Sequence, residues 1–249
     1  MGTEKSKYLD LVSVLYKEIR KAGLDSSAQN IKSDHHAVEY WKYSFLLKEY
    51  CSANSVILDW GALFGHVTLM GQALGLNVVP FVFGADQKLK DLHKTALTTD
   101  VVYSDDPVRL PFEDSTFDTV ISSGVFEHAQ EEGGDPVKTL REIKRILKPE
   151  GFFILWKLPN ASGLAEIKSD ILGAWSHPYR YTPNGIKILL NSNGFELVHF
   201  DYDDLFPLGV KALLRSLRLG GINWVSSYLA RKPVFRVFSN DFVVVAQSV

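Results

Sequence analysis

The sequence has one cysteine, two methionines and almost no net charge, and these shortages close off whole classes of function. Cys51 has no second cysteine to pair with, so no internal disulfide is expected and a reducing compartment, the cytoplasm, is the expected location. No set of cysteines and histidines has the spacing of a zinc site; the His35–His36 pair stands by itself, and no metal is expected. With 27 basic and 29 acidic residues the formal net charge is -2, which argues against a dedicated nucleic-acid binder. No stretch approaches the run of about 20 apolar residues that spans a bilayer, and the charged segment Met1–Lys7 carries no apolar signal core. What is present is an ordinary globular composition, 46% hydrophobic and 22% charged over 249 residues, enough for a full core.

Tyr8, Leu11, Val12, Leu15 and Ile19 recur at helical spacing with Gly23 as a stop, and a second helix is expected from His36 to Tyr50. The period then changes. Short β-rich runs at Ser55–Trp60, Val78–Phe83, Val101–Tyr103, Thr119–Ser122, Phe152–Trp156, Glu196–Phe200 and Phe242–Val245 alternate with helical stretches. Those stretches open near Gly65, Asp86, Asp135 and Thr182. The alternation predicts an α/β fold: a doubly wound, mostly parallel, seven-stranded sheet covered on both faces. The chain is read as a single domain. N-terminal helices occupy 1–52, the sheet-bearing core 53–203, a helical basic insertion 204–239 and the last strand 240–249.

The segment Val56-Ile57-Leu58-Asp59-Trp60-Gly61-Ala62-Leu63-Phe64-Gly65 takes an apolar strand into an acid, a glycine-bearing turn and a helix. Glycine lets the backbone approach a ligand closely, and a new helix offers unpaired N–H groups. Asp59 can accept hydrogen bonds from an ammonium group or from the loop amides. Such junctions are common taken singly. Here, however, Ser104-Asp105-Asp106-Pro107-Val108-Arg109-Leu110-Pro111-Phe112 follows, then Phe117-Asp118-Thr119-Val120, Glu127-His128, Leu140 to Phe152 and Leu189 to Phe195. In this order and spacing the segments, spanning residues 53–203, resemble the class I S-adenosylmethionine-dependent methyltransferases. The likeness is to the group with a Leu-Pro-Phe segment before the fourth strand.

The resemblance implies a Rossmann-like fold, S-adenosylmethionine as cofactor, and roles for the matched positions. Asp59, Gly61, Ala62 and Gly65 would line the methionine end of the cofactor, and Asp86 would hold the ribose hydroxyls. Asp106, or Asp105 if the register shifts by one, would bond the adenine amino group; Ser123 and Gly124 would border the sulfonium. As an acid at a helix start, Asp86 equally reads as a cap. Two positions depart from the family pattern. Leu63 stands where the turn usually has its central glycine, and Pro107 stands where the family often offers an N–H to adenine.

On the substrate side, His128 is the candidate proton acceptor, since an imidazole titrates near working pH; it reads equally as a structural histidine. His177, Tyr179, Arg180 and Tyr181 are candidate contacts for an anionic or aromatic group, or else a packed loop. The expected reaction is methyl transfer to a small-molecule, lipid or sugar acceptor, with no nucleic-acid partner. The alternative is a catalytically inactive methyltransferase-like binding module. From Leu205 to Ser239 there are six basic residues and no acid, with Lys211, Arg215 and Arg218 on one helical face. That segment reads as a helix docked on its own protein, or as a peripheral membrane contact through 205–239 that is at most weak and salt-sensitive.

Overall fold

The change of period after Tyr50 marks the start of a seven-stranded sheet. In the computed structural model, which describes residues 2–25, 34–131, 133–174, 176–206, 211, 214 and 221–249, the strands are β1 (Val56–Trp60), β2 (Asn77–Phe83), β3 (Val102–Ser104), β4 (Phe117–Ser123), β5 (Leu147–Pro159), β6 (Phe195–Asp203) and β7 (Asp241–Ser248). Their order is β3-β2-β1-β4-β5-β7-β6. β2 runs parallel to both β1 and β3, whereas β7 returns antiparallel to β6. This is the α/β sheet that the alternation predicts. The order of strands reverses beside β1, and ligands of such sheets bind beyond the carboxyl ends of the strands at that reversal. The turn that follows β1 is therefore the first place to look.

The chain divides into two compact units, residues 1–121 with 145–152, and residues 122–144 with 153–249. In the first, α1 (Gly2–Lys21) buries Tyr8, Val12, Leu15 and Ile19, the stripe read from the sequence apart from Leu11, which is half-buried. Gly23 ends it in the left-handed conformation, with the Leu24 amide donating back to the Ile19 carbonyl (3.0 Å). The single helix expected over 36–50 is two helices, α2 (Asp34–Trp41) and α3 (Ser44–Tyr50). A tight turn between them, closed by the Tyr43 amide on the Tyr40 carbonyl (2.9 Å), lets Trp41 stack on Tyr8 while Tyr43, Leu46 and Leu47 are buried. α4 (His66–Ala73) and α5 (Gln87–Ala96) follow β1 and β2.

The Leu110-Pro111-Phe112 segment owes its place to Arg145. That guanidinium donates to the carbonyls of Phe112 (2.8 Å) and Leu110 (3.1 Å) and to Asp114 (2.7 Å). The Phe112 ring meets Phe81 and Phe117 edge-on. Asp118 accepts from the Val56 amide (2.8 Å) and from Lys148, fastening the start of β1.

The second unit contains α6 (Phe126–Glu131), most of α7 (Pro136–Ile146), α8 (Leu164–Leu172), α9 (Pro183–Asn191) and α10 (Ile222–Ala230). Asp135 caps α7 through the Lys138 amide (2.9 Å), and Thr182 caps α9 through the Gly185 amide (3.0 Å), at the starts read from sequence. Phe126, Phe153, Phe195 and Phe242 are fully buried here.

The basic insertion differs from expectation. Arg215 and Arg218 lie outside the described residues. Lys211 is not on a solvent face: only 1% of it is exposed, and its ammonium pairs with Asp204, which also accepts from the Ser226 hydroxyl (2.9 Å). A buried ammonium needs such a partner, and Asp204, just before the stretch without acids, supplies it. Among the described residues no helix is long and apolar enough to cross a membrane.

Candidate functional site

In the first unit, β1 delivers Asp59 into the interior, 1% exposed, where its carboxylate accepts from the Thr68 hydroxyl (2.7 Å). Burial pushes this carboxyl up to about 6, against the lowering effect of the Thr68 bonds. The chain then reverses through three residues with positive φ: Gly61 (75°), Leu63 (46°) and Gly65 (88°). The amides of Gly61 and Ala62 both donate to the Phe81 carbonyl (2.9 Å each), which ties the turn to β2. Those two N–H groups are thus engaged by the protein. The donors that helix geometry leaves without intrahelical partners are the first-turn amides of α4, which Gly65 opens with no side-chain cap.

Leu63 occupies the place of the missing glycine by adopting a glycine-like φ, with 47% of the residue exposed. Its carbonyl is held by His93 Nε2 at 2.5 Å, and His93 Nδ1 meets the Tyr103 hydroxyl at 2.9 Å. Gly65 is needed for packing as well as for its φ, because a Cβ there would lie 2.8 Å from the Leu97 side chain.

Asp86 caps α5 through the Leu89 amide (2.8 Å), and Gly84 ahead of it is left-handed. Asp106 is exposed, and one of its oxygens takes the amides of Val108 (2.8 Å) and Arg109 (3.0 Å). Those bonds hold its carboxyl below the usual range. Asp105 is exposed beside it. Asp86 and Asp106 therefore each shape their own loop while remaining accessible to solvent.

In the second unit, Ser123 accepts from the Trp156 indole (2.6 Å), and the Gly124 amide donates to the Trp156 carbonyl (3.0 Å). Gly124 is left-handed, and a Cβ there would sit 3.6 Å from Glu127 Oε1. Glu127 itself is 1% exposed, and its Oε2 has no hydrogen-bond partner among the described residues. Burial pushes this carboxyl up to about 8. Its neighbour His128 faces His177, with ring centroids 5.4 Å apart. His128 Nδ1 is bonded to Glu131 (2.7 Å), and His177 Nδ1 to Glu166 of α8 (2.7 Å). Burial works against charge on His177, but the Glu166 bond and the carboxylates of Glu166, Glu127 and Asp241 win and raise it.

The remaining substrate-side candidates serve the loop. Arg180 makes a two-pronged pair with Asp170 (2.7 and 3.1 Å) and donates to the His177 carbonyl (2.7 Å). The Tyr181 hydroxyl accepts from Gln130, and its ring packs on Phe126. Tyr179 is exposed. Reasoning from sequence missed Glu127, Glu131 and Glu166. The Glu127-His128 dipeptide was visible, whereas Glu166 sits on a helix whose only signals are Leu164, Ile167 and Ile171 at helical spacing and Gly173 as a stop.

Residues 58–155, which contain the Asp59 turn, the Leu-Pro-Phe segment and the Glu127-His128 pair, match the family model described as a methyltransferase domain. The human protein "Arginine-hydroxylase NDUFAF5, mitochondrial" is 31% identical over 161 residues, covering 59% of this chain and 44% of that protein. The chain thus spans less than half the length of this relative. A SAM-dependent methyltransferase from Archaeoglobus fulgidus superposes with a TM-score of 0.60 at 16% identity, over 85% of this chain and 94% of that one. Another, from Methanosarcina mazei, gives 0.56 at 17% identity, over 82% and 97%. At such identities the superpositions establish the fold, and the matched segment, residues 58–155, is similar to a methyltransferase domain.

Proposed function

We propose that this protein transfers the methyl group of S-adenosylmethionine to a small-molecule, lipid or sugar acceptor. The observation that supports it most is the turn after β1, where a buried acid is followed by backbone held in glycine-like conformations at Gly61, Leu63 and Gly65. When bound, the cofactor supplies a methyl already activated by its sulfonium. The protein's task is alignment, with a base only where the acceptor must lose a proton.

In this reading Asp59 receives the ammonium of the cofactor and the first-turn amides of α4 its carboxylate end. Asp86, capping one amide, retains acceptor capacity for the ribose hydroxyls, and Asp106 or Asp105 takes the adenine amino group. Ser123 and Gly124 border the sulfonium. His128 takes a proton from an acceptor hydroxyl, with His177 beside it. Arg180 and Tyr181 position that loop. Cys51 as a free thiol suits the cytoplasm.

Calorimetry with S-adenosylhomocysteine tests the cofactor site; micromolar binding that Asp59→Asn abolishes supports the reading, and absence of binding to the unmodified chain overturns it. The name of the human relative suggests a second reading, favoured by the 31% identity: hydroxylation of an arginine side chain, with dioxygen as oxidant and an external two-electron reductant, the second oxygen atom leaving as water. Mass spectrometry of a treated acceptor, with methyl-deuterated cofactor, separates the two: a labelled methyl supports transfer, an added oxygen supports hydroxylation.

A further inference from the structure

We propose that Glu127, His128 and His177 form a binding site for a divalent first-row transition-metal ion, whose binding would engage the imidazole of His128 in place of the proton-accepting role proposed for it. One ligand atom from each of the three lies within 4.8 Å of the others. Donors around a bound ion, at about 2.0–2.2 Å from it, stand closer together than this, so side-chain rotations of about 1 Å close the site. Two imidazoles and one carboxylate make the donor set that suits zinc, manganese or iron(II) and leaves coordination positions open.

Three further observations point to a cation at this place. Glu127 is buried with Oε2 lacking a hydrogen-bond partner among the described residues, and the same holds for Oε1 of Glu131. A carboxyl oxygen left so in a dry interior is costly, and a metal ion would satisfy it. Each histidine, moreover, has its Nδ1 bonded to a carboxylate, Glu131 for His128 and Glu166 for His177, both at 2.7 Å. This is how metal-ligating histidines are oriented, with Nε2 turned to the ion. Finally, negative charge prevails locally. Asp241 acts on both Glu127 and His177, while the Arg180 guanidinium, 3.7 Å from Glu166, is engaged by Asp170. The whole constellation belongs to one compact unit.

The test uses the full untagged chain, stripped of metal and titrated with Co²⁺ in the absence of cofactor. We expect about one equivalent to bind with a visible d–d spectrum. Glu127→Gln and His177→Ala should each weaken binding by about a hundredfold or more, beyond the 10–100-fold expected when a supporting residue such as Glu131 is changed to Gln. S-adenosylhomocysteine binding, measured on the same samples, should persist in Glu127→Gln, which separates this site from the cofactor site. Pulsed EPR of the unmodified chain with Cu²⁺ should show coupling to imidazole nitrogens, a readout that needs no variant to fold. Failure to bind a stoichiometric ion, binding insensitive to both ligand changes, or a spectrum without imidazole coupling overturns the proposal.

Discussion

The Nε2–H of His93 donates to the carbonyl oxygen of Leu63 across 2.5 Å, and this bond holds the turn in the shape that its missing glycine would otherwise give. A carbonyl only accepts, so the proton lies on Nε2, and Nδ1 is left to accept from the Tyr103 hydroxyl at 2.9 Å. Burial keeps the imidazole below its ordinary range in spite of the bond to Leu63, which suits that neutral tautomer. His93→Leu removes both bonds and should lower stability by about 1–3 kcal/mol in urea denaturation. It should also weaken binding of S-adenosylhomocysteine. Leu63→Gly relieves a left-handed residue that costs about 1–2 kcal/mol, offset in part by the greater freedom of glycine when unfolded. Its stability should stay within about 1 kcal/mol of the unmodified protein; a larger loss would mean that the exposed leucine anchors the turn.

Asp59 sets stability against binding. Its folded-state pKa, about 6, stands above the ordinary 3.8, so between these values the folded protein keeps a proton that the unfolded chain has released. Stability must therefore fall as pH rises through that window. The difference corresponds to about 3 kcal/mol, present in full below pH 3.8 and lost above about 6. Asp59→Asn should flatten this slope and raise stability at pH 7 by up to that amount. Cofactor affinity should drop at the same time, because a neutral amide no longer attracts an ammonium. Urea titrations from pH 4 to 7.5, with calorimetry at pH 7, read both effects. An unchanged slope in the variant would show that another group carries the pH dependence.

The strands were legible because most are short β-rich runs between polar breaks, and their number follows from that alternation, whereas their order in the sheet does not. β5 begins at Leu147, earlier than the run Phe152–Trp156 suggests, because Lys148, Pro149, Glu150 and Gly151 read as a turn. α6 is six residues long, too short to show a period, and α8 has Ile171 exposed, which blurs its apolar face. The Asp59 turn was readable because its parts are contiguous. The Glu127–His128–His177 group was not, because folding alone brings His177 back to α6, and its orienting acids sit on the two helices that sequence did not reveal. The burial of Lys211 was hidden for a similar reason: helical spacing placed it with Arg215 and Arg218, and only the tertiary fold supplies Asp204.

That buried pair gives a direct test. Lys211→Met leaves the Asp204 carboxylate buried with the Ser226 hydroxyl as its remaining described partner, and should cost about 3–5 kcal/mol. Changing Lys211→Met and Asp204→Leu together removes both charges and should recover most of the loss, as a double-mutant cycle in urea would show. Additive losses would mean that the two side chains stabilise the fold separately.

With Lys211 withdrawn, any membrane contact through the late segment would rest on aromatic side chains. Trp224 is 68% exposed and Tyr228 45%, their rings stack at 5.2 Å, and the Lys232 ammonium lies 4.2 Å from the Tyr228 ring. Val234, Phe235, Val237 and Phe238 are exposed close by in sequence, with Arg236 among them. Amphipathic rings of this kind favour a membrane interface, and each base near an anionic surface adds about 1 kcal/mol that salt screens. We expect weak co-sedimentation with vesicles containing phosphatidylserine, falling several-fold when salt rises from 0.05 to 0.5 M, by screening. Trp224→Ser with Tyr228→Ser should abolish it at either salt concentration, because both substitutions remove apolar contact at an exposed surface. Lys232→Gln with Arg236→Gln should leave a residue of binding that no longer responds to salt. Absence of any vesicle binding by the unmodified protein, or binding that survives the aromatic changes, would reject the membrane assignment and leave 221–239 as a surface for contact within the protein's own substrate or partner complexes.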